Sequence, residues 1–376
     1  MKIALIGTRG IPARHGGFET CVEEVGARLA QKGHKVFVYS KKSELNKDDR
    51  VYRGMKIINV PRVKLKGFET LFSTFLSVFH SLFFRFDVQM VFNAANSPAL
   101  FLYNFFNKKY ALNTDGLEWQ RKKWGFFGKS YYKLSERISV LLCKNLVSDS
   151  QGIHDYYKSK YKADSTIIAY GADVPPRYPD DKVDHILNEF GIERKKYLLQ
   201  VTRFEPENYP LLTLQAFSLL QTAIKCVLVG GDNFRSLYLK KIENEKRKNE
   251  NIILPGFIYN KEILEILWQN SFCYIHGNSV GGTNPALLQA MASGRPVIAL
   301  DCVFNRETLN NHGFFYTSDL QSLIDQMHYV IHHRLEAEEK AKYALARSEK
   351  SYNWNYIADQ YEKLFTIIIK PVSPRY

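Results

Sequence analysis

The chain has 376 residues, 45% of them hydrophobic and 24% charged, ordinary values for a soluble globular protein of two domains with a sizeable core. Its formal net charge of +14 favours anionic partners: nucleic acid, anionic lipid surfaces or phosphorylated ligands. The five cysteines (Cys21, Cys143, Cys226, Cys273, Cys302) lie scattered without CxxC spacing, which argues for reduced thiols in a cytosolic protein and against a metal site.

From the N-terminus, residues 2–7 read as a buried strand, since the apolar run meets Thr8 and Arg9 too soon for a signal peptide. Phe18, Val22, Val25 and Leu29 stand at helical spacing over 16–32, and 34–40 alternates into a second strand. The intervening loop, GTRGIPARHGGFET over 7–20, is glycine-rich but lacks GxGxxG spacing. It can still offer backbone N–H groups to an anion, with Arg9 and Arg14 nearby; a plain loop is the simpler alternative. Strand-like runs at 55–60, 88–93, 109–113, 145–149 and 165–170 alternate with helical stretches, the pattern of a mostly parallel sheet with helices on both faces. The longest apolar run, TLFSTFLSVFHSLFF over 70–84, falls short of the ~20 residues that cross a bilayer and by itself reads as a core helix.

Residues 172–194 contain Pro175, Pro176 and Pro179 among charges and read as a linker. A second series follows, with strands at 197–203, 225–230, 251–256, 272–276 and 296–300 and helices at 209–221, 234–249, 261–269 and 284–293. Two doubly wound α/β halves joined by a proline-containing hinge imply a cleft between their strand C-termini, where open α/β sheets bind ligands. Beyond Leu320 the chain reads as helical, and 352–369 is apolar enough to dock back across the domains. The expected division is therefore 1–175, 176–351 and a returning helix within 352–376.

The densest signal is GNSVGGTNPALLQAMASGRPVIALD, residues 277–301. A strand leads into a glycine turn, then a helix with Pro285 near its start and Gly294 just past its end. Gly281 and Gly282 would let the backbone approach a phosphate at the free N–H groups of that helix. An ordinary βαβ connection accounts for the same glycines.

Four segments in order, Gly7–Thr20, Asp115–Trp124, Arg203–Asn208 and Gly281–Ala292, resemble the retaining glycosyltransferases of family four. Within that family they look most like bacterial capsule and cell-wall rhamnosyltransferases, and the likeness covers nearly the whole chain. It implies the GT-B architecture of two Rossmann-like domains facing across a cleft. It also implies a nucleotide-diphosphate sugar as donor, no metal or other cofactor, and transfer of a deoxyhexose such as rhamnose to a lipid-linked oligosaccharide.

By that resemblance Asp115 lies against the donor sugar, and Glu118 serves as acceptor ligand or base. Gly16, Gly17, Arg203, Asn208, Gly281, Gly282, Thr283, Asn284 and Gln289 form the donor site. The chemistry agrees: the departing diphosphate gains charge, which a planar guanidinium and helix-terminal amides stabilise. Asp115 as a helix N-cap and Arg203 in a surface ion pair with Glu205 or Glu207 are the plainer alternatives. The chain departs from the family where Asn208 replaces a lysine, where Gln289 replaces a glutamate, and where Ser279 and Gly281 occupy the turn that carries an acid. Neutral bonds to sugar hydroxyls are weaker by about 1 kcal/mol each, which implies reduced donor affinity or a degenerate member. Asn305 and Glu307 are a speculative replacement for the missing acid.

Residues 119–133, WQRKKWGFFGKSYYK, interleave bases and aromatics without an acid, as an anionic membrane interface prefers. Arg121, Lys122, Lys123 and Trp124 are the expected acceptor and membrane contacts; core aromatics under a solvated basic face are the alternative. The expected partners are a nucleotide sugar, a polyprenyl-diphosphate-linked glycan and the inner leaflet, with the chain cytoplasmic and peripheral. No RNP-type, zinc-finger or helix-turn-helix pattern accompanies the charge, so nucleic acid is not expected. A nucleotide-sugar epimerase of the same architecture and a catalytically degenerate sugar-binding homologue are the competing readings.

Overall fold

Apolar strands buried on both faces build two separate sheets, each sandwiched by helices, in a computed structural model describing all residues except 14–15, 42–49, 62–68, 115, 233–236 and 371–376. Met1–Tyr170 and the last helix form one unit, and Gly171–Asn353 form the other.

The first unit runs β1 (Lys2–Ile6), α1 (Gly17–Gln31), β2 (Lys35–Lys41), β3 (Val51–Tyr52), β4 (Met55–Val60), α2 (Glu69–Ser81) and β5 (Val88–Phe92). A 3₁₀ stretch (Ala94–Leu100) then leads into α3 (Phe101–Phe105), β6 (Tyr110–Asn113), α4 (Phe126–Leu142), β7 (Leu146–Ser148), α5 (Gln151–Tyr161) and β8 (Thr166–Ile167). The sheet order is β3-β4-β2-β1-β5-β6-β7-β8, parallel except for β3 against β4. The two-residue β3 is too short to show a period in the sequence and has no counterpart in the expected strands.

The second unit contains α6 (Asp180–Glu189), β9 (Tyr197–Val201), α7 (Pro210–Leu219), β10 (Lys225–Val229), α8 (Leu237–Lys248), β11 (Ile252–Gly256), α9 (Lys261–Asn270) and β12 (Cys273–His276). It continues with α10 (Pro285–Ala292), β13 (Val297–Leu300), α11 (Val303–Leu309), β14 (Phe314–Tyr316), α12 (Leu320–His332) and α13 (Arg334–Ser351). Its sheet is parallel throughout, in the order β11-β10-β9-β12-β13-β14. Both sheets have the doubly wound α/β architecture that the alternation of elements predicts.

Three expectations need correction. The supposed linker contains α6: Pro179 stands at the N-cap, Asp180 and Asp181 favour the positive end of the helix dipole, and Val183, Ile186 and Leu187 are buried. The prolines are a helix-start signal as much as a hinge signal. Residues 301–319 hold α11 and the edge strand β14, both too short for the periodicity that found their neighbours.

The third correction concerns α2. Its buried residues are Ser73, Thr74, Ser77, Val78 and Ser81, while Phe72, Phe75 and Phe79 face out. Burial of hydroxyls is tolerable because Ser73, Thr74 and Ser77 each donate to the carbonyl four residues back, at 2.8, 2.9 and 2.8 Å. Ser81 shares a 2.7 Å hydrogen bond with Tyr103.

The last helix, α14 (Trp354–Ile369), packs on α1. Asn113 donates to the Tyr361 hydroxyl at 3.3 Å, and Glu362 accepts from Lys32 at 2.6 Å and meets His34 at 2.6 Å. All five cysteines are free, and burial pushes the Cys21, Cys143 and Cys226 thiols up to about 12, so they stay protonated. No described helix is long and apolar enough to cross a membrane.

Candidate functional site

The glycine turn of the second unit starts where β12 ends. A Cβ on Gly277 would lie 2.3 Å from the Asn208 carbonyl oxygen, so only glycine lets the 206–208 turn close on this loop. Ser279 fastens the same contact: its N–H and its hydroxyl both donate to the Glu207 carbonyl, at 3.0 and 2.8 Å. Thr202 donates to the Asn278 side chain at 3.2 Å, and Asn305 donates to the Asn278 carbonyl at 3.1 Å. Asn305 is thereby a structural tie, and it also holds the Leu300 carbonyl at 2.9 Å.

Beyond these ties the loop opens. Gly281 has φ +125° and nothing within 4 Å of the place a Cβ would take. Thr283 is buried, and Asn284 caps α10 by accepting from the Ala286 N–H at 3.0 Å, with Pro285 at the first helical position. Gln289, one turn into α10, is half-buried, and its side-chain Nε2 has no hydrogen-bond partner.

Arg203 follows β9 in the turn tied to this loop. Its side chain is 47% exposed, and its nearest carboxylate, Glu205, is 3.5 Å from Nη1. An exposed pair at that distance is weak, leaving the guanidinium available to a phosphate. Asn208 is 1% exposed, and its NH₂ group donates to the Arg203 carbonyl at 3.0 Å. That bond holds the arginine turn in place, while the buried Oδ1 of the same side chain has no hydrogen-bond partner.

Two polar groups beside this loop were not singled out by sequence reasoning. Both carboxylate oxygens of Glu207 are buried without a partner, as are both ring nitrogens of His276 at the end of β12. Burial pushes the His276 imidazole down to about 3, so it is neutral. Such orphaned buried groups are rare and mark places where a ligand or water completes the bonding. Only the position of His276 at a strand C-terminus hinted at this.

In the first unit the glycine loop is largely saturated by its own surroundings. The N–H of Arg9 donates to Glu19 at 3.0 Å, that of Gly10 to Thr8 at 3.2 Å, that of Ile11 to Ser40 at 3.2 Å and that of Ala13 to Glu23 at 2.6 Å. Gly16, exposed and at φ +91°, and the half-buried Gly17 lie where the loop enters α1. Arg14 and Asp115 lie outside the described residues.

Glu118 is enclosed by its own segment. It pairs with Arg121, accepts from the Trp124 indole at 3.2 Å and lies 3.7 Å from Lys123. Burial alone would raise its carboxyl, but Arg121 and Lys123 outweigh that and hold it below the ordinary value. An ionised carboxylate so engaged organises the 118–124 segment, and it is poorly placed to act as a base.

The aromatics around it are engaged too: Lys123 sits 5.2 Å from the Trp124 ring, and Lys133 sits 4.7 Å from that of Trp119. Lys122 alone of the expected quartet's bases is exposed without a pairing in this cluster. No group of three or more metal-binding side chains occurs among the described residues.

Residues 183–347 match the family model "Glycosyl transferases group 1", and residues 1–173 match "Domain of unknown function (DUF1972)". No curated protein sequence matches the chain. Sucrose-phosphate synthase from Thermosynechococcus elongatus superposes with a TM-score of 0.82 at 19% identity, over 98% of both chains. Anabaena HepE, solved in complex with UDP-glucose, gives 0.79 at 13% identity, over 98% of this chain and 100% of that one. S. aureus TarM, in a complex that includes UDP, gives 0.73 at 11% identity, over 97% and 99%. The chain has the GT-B fold.

Proposed function

From the premise that this is a GT-B chain whose residues 183–347 form a group 1 glycosyltransferase domain, we propose a retaining glycosyltransferase acting on a nucleotide-diphosphate sugar. The acceptor is a polyprenyl-diphosphate-linked glycan at the inner face of the membrane. A deoxyhexose such as rhamnose is the favoured sugar, and bacterial surface polysaccharide the favoured product. The sugar, acceptor and stereochemical outcome rest on the motif resemblance.

One observation carries the donor reading: the loop through Gly281 is open at the N-terminus of α10 and is tied directly to the turn bearing the half-exposed Arg203. The Gly281, Gly282 and Thr283 amides and the α10 dipole meet the diphosphate, and Arg203 clamps its outer oxygens as charge develops on the leaving group. Gln289 offers its unpartnered Nε2 to a sugar hydroxyl. The roles of Gly16, Gly17 and Asp115 rest on the family resemblance alone.

A thermal-shift screen of nucleotide sugars, UDP-sugars first, tests this. A true donor at 100 times its dissociation constant adds roughly 2.7 kcal/mol of stability. Transfer from that donor to a polyprenyl-diphosphate glycan is then expected; no stabilisation by any nucleotide sugar would refute the assignment. Gln289 in a glutamate position favours a second reading, a sugar-nucleotide binder without turnover. Donor-induced stabilisation with no transfer to any acceptor would select it.

A further inference from the structure

We propose that the outer surface of the α2–α3–α4 layer in the first unit is the face that rests on an anionic lipid bilayer. This deepens the lipid-linked acceptor reading and rests on it for its biological use; the observations are independent of it.

The three helices are linked side by side. Lys108, three residues past α3, donates to the Leu82 carbonyl just past α2 at 3.1 Å, and Asn104 of α3 donates to the Leu142 carbonyl of α4 at 2.9 Å. Along α2 and its extension, Phe72, Phe75, Phe79 and Phe83 recur at three- and four-residue steps on the face opposite the serines, with Phe83 74% exposed. Phe105 is 78% exposed on α3, and Phe127 and Leu141 of α4 are exposed to 87% and 81%. A folded surface seldom leaves this many large apolar side chains in water without a partner for them.

Charge identifies the occupant. Residues 69–144 contain ten Lys and Arg and five Asp and Glu. The four acids among the described residues are engaged within the unit: Glu69 with Lys41, Asp87 with the Lys2 N–H, Glu118 with Arg121, and Glu136 with the Tyr156 and Tyr161 hydroxyls. Arg85 just past the α2 extension, Arg137 on α4 and Lys144 just past α4 stand exposed, while Lys109 donates to the Ile369 carbonyl. A second copy of the chain would bring this basic rim against itself. An anionic bilayer matches it, with aromatics at headgroup depth and bases against the phosphates.

The test is co-sedimentation of the full chain with phosphatidylcholine vesicles, with and without phosphatidylglycerol, for the wild type and Phe79→Ser/Phe83→Ser. Nucleotide-sugar thermal shift on the same samples reports folding and the donor site separately. The expected result is salt-sensitive binding to the phosphatidylglycerol vesicles, weakened about tenfold or more in the variant, with donor stabilisation the same in both proteins. Unchanged vesicle binding by the variant overturns the proposal. So does a wild type that ignores vesicles and instead forms a concentration-dependent dimer that the substitutions abolish.

Discussion

The chain has two glycine-rich loops, one following a strand of each unit, and their surroundings differ. In the 7–17 loop the amides of residues 9, 10, 11 and 13 are already taken by Glu19, Thr8, Ser40 and Glu23. In the 277–284 loop the glycines divide the work: Gly277 admits the Asn208 carbonyl, while Gly281 faces open space. Glycine content alone therefore does not identify an anion site. In the first loop the freed amides are claimed by side chains, whereas in the second open space remains beside Gly281.

This contrast can be broken or sharpened by substitution. The largest effect is expected from Gly277→Ala, whose Cβ would meet a backbone oxygen at 2.3 Å. Overpacking of that kind should cost about 3 kcal/mol, read as a lower unfolding midpoint of the second unit. Arg203→Ala should leave the midpoint unchanged and weaken nucleotide-sugar binding by about 2 kcal/mol, the worth of a charge-assisted phosphate contact, measured by calorimetric titration. Gly281→Ala has room but an unfavourable φ, so a stability loss of roughly 1–2 kcal/mol should accompany a clear loss of donor affinity. Equal losses at Gly277 and Gly281 in both assays would erase the distinction between the two glycines.

Gln289→Glu should strengthen donor binding by about 1 kcal/mol if that side chain meets a sugar hydroxyl. The smallest and most local effect is one of pH in the first unit. The folded Glu118 carboxyl lies below the ordinary glutamate value, so its stabilising contribution is full above that ordinary value and is lost as pH falls through the lowered one. The stability difference between wild type and Glu118→Gln, followed by chemical denaturation, should therefore shrink on acidification. A gap that widened in acid would contradict the ion-pair account.

Much of this architecture was legible in the sequence, for reasons visible at single residues. Pro285 and Gly294 bracket α10, and the apolar runs of β1, β5, β9, β12 and β13 mark strands buried on both faces. The Gly277–Asn284 loop and Arg203 were both singled out, and their turns are bonded to each other. The orientation of α2 was not legible, since the periodicity of TLFSTFLSVFHS fits either face and the serines' internal hydrogen bonds decide it. Nor was the saturation of the first loop, because Ser40 is 29 residues from the Ile11 amide it serves. The buried state of Asn208 depends on Gly277, a contact nearly 70 residues away in the chain that no local pattern encodes.

The return of α14 to α1 has a consequence for how the molecule is made. Cys21 meets the Tyr361 hydroxyl at 3.9 Å, and Asn113 reaches the same hydroxyl, so the first unit's interior includes a residue synthesised after the whole second unit. On the ribosome, that interior stays unsealed until the final helix emerges. A chain cut before Trp354 would therefore leave the α14-facing side of α1 uncovered.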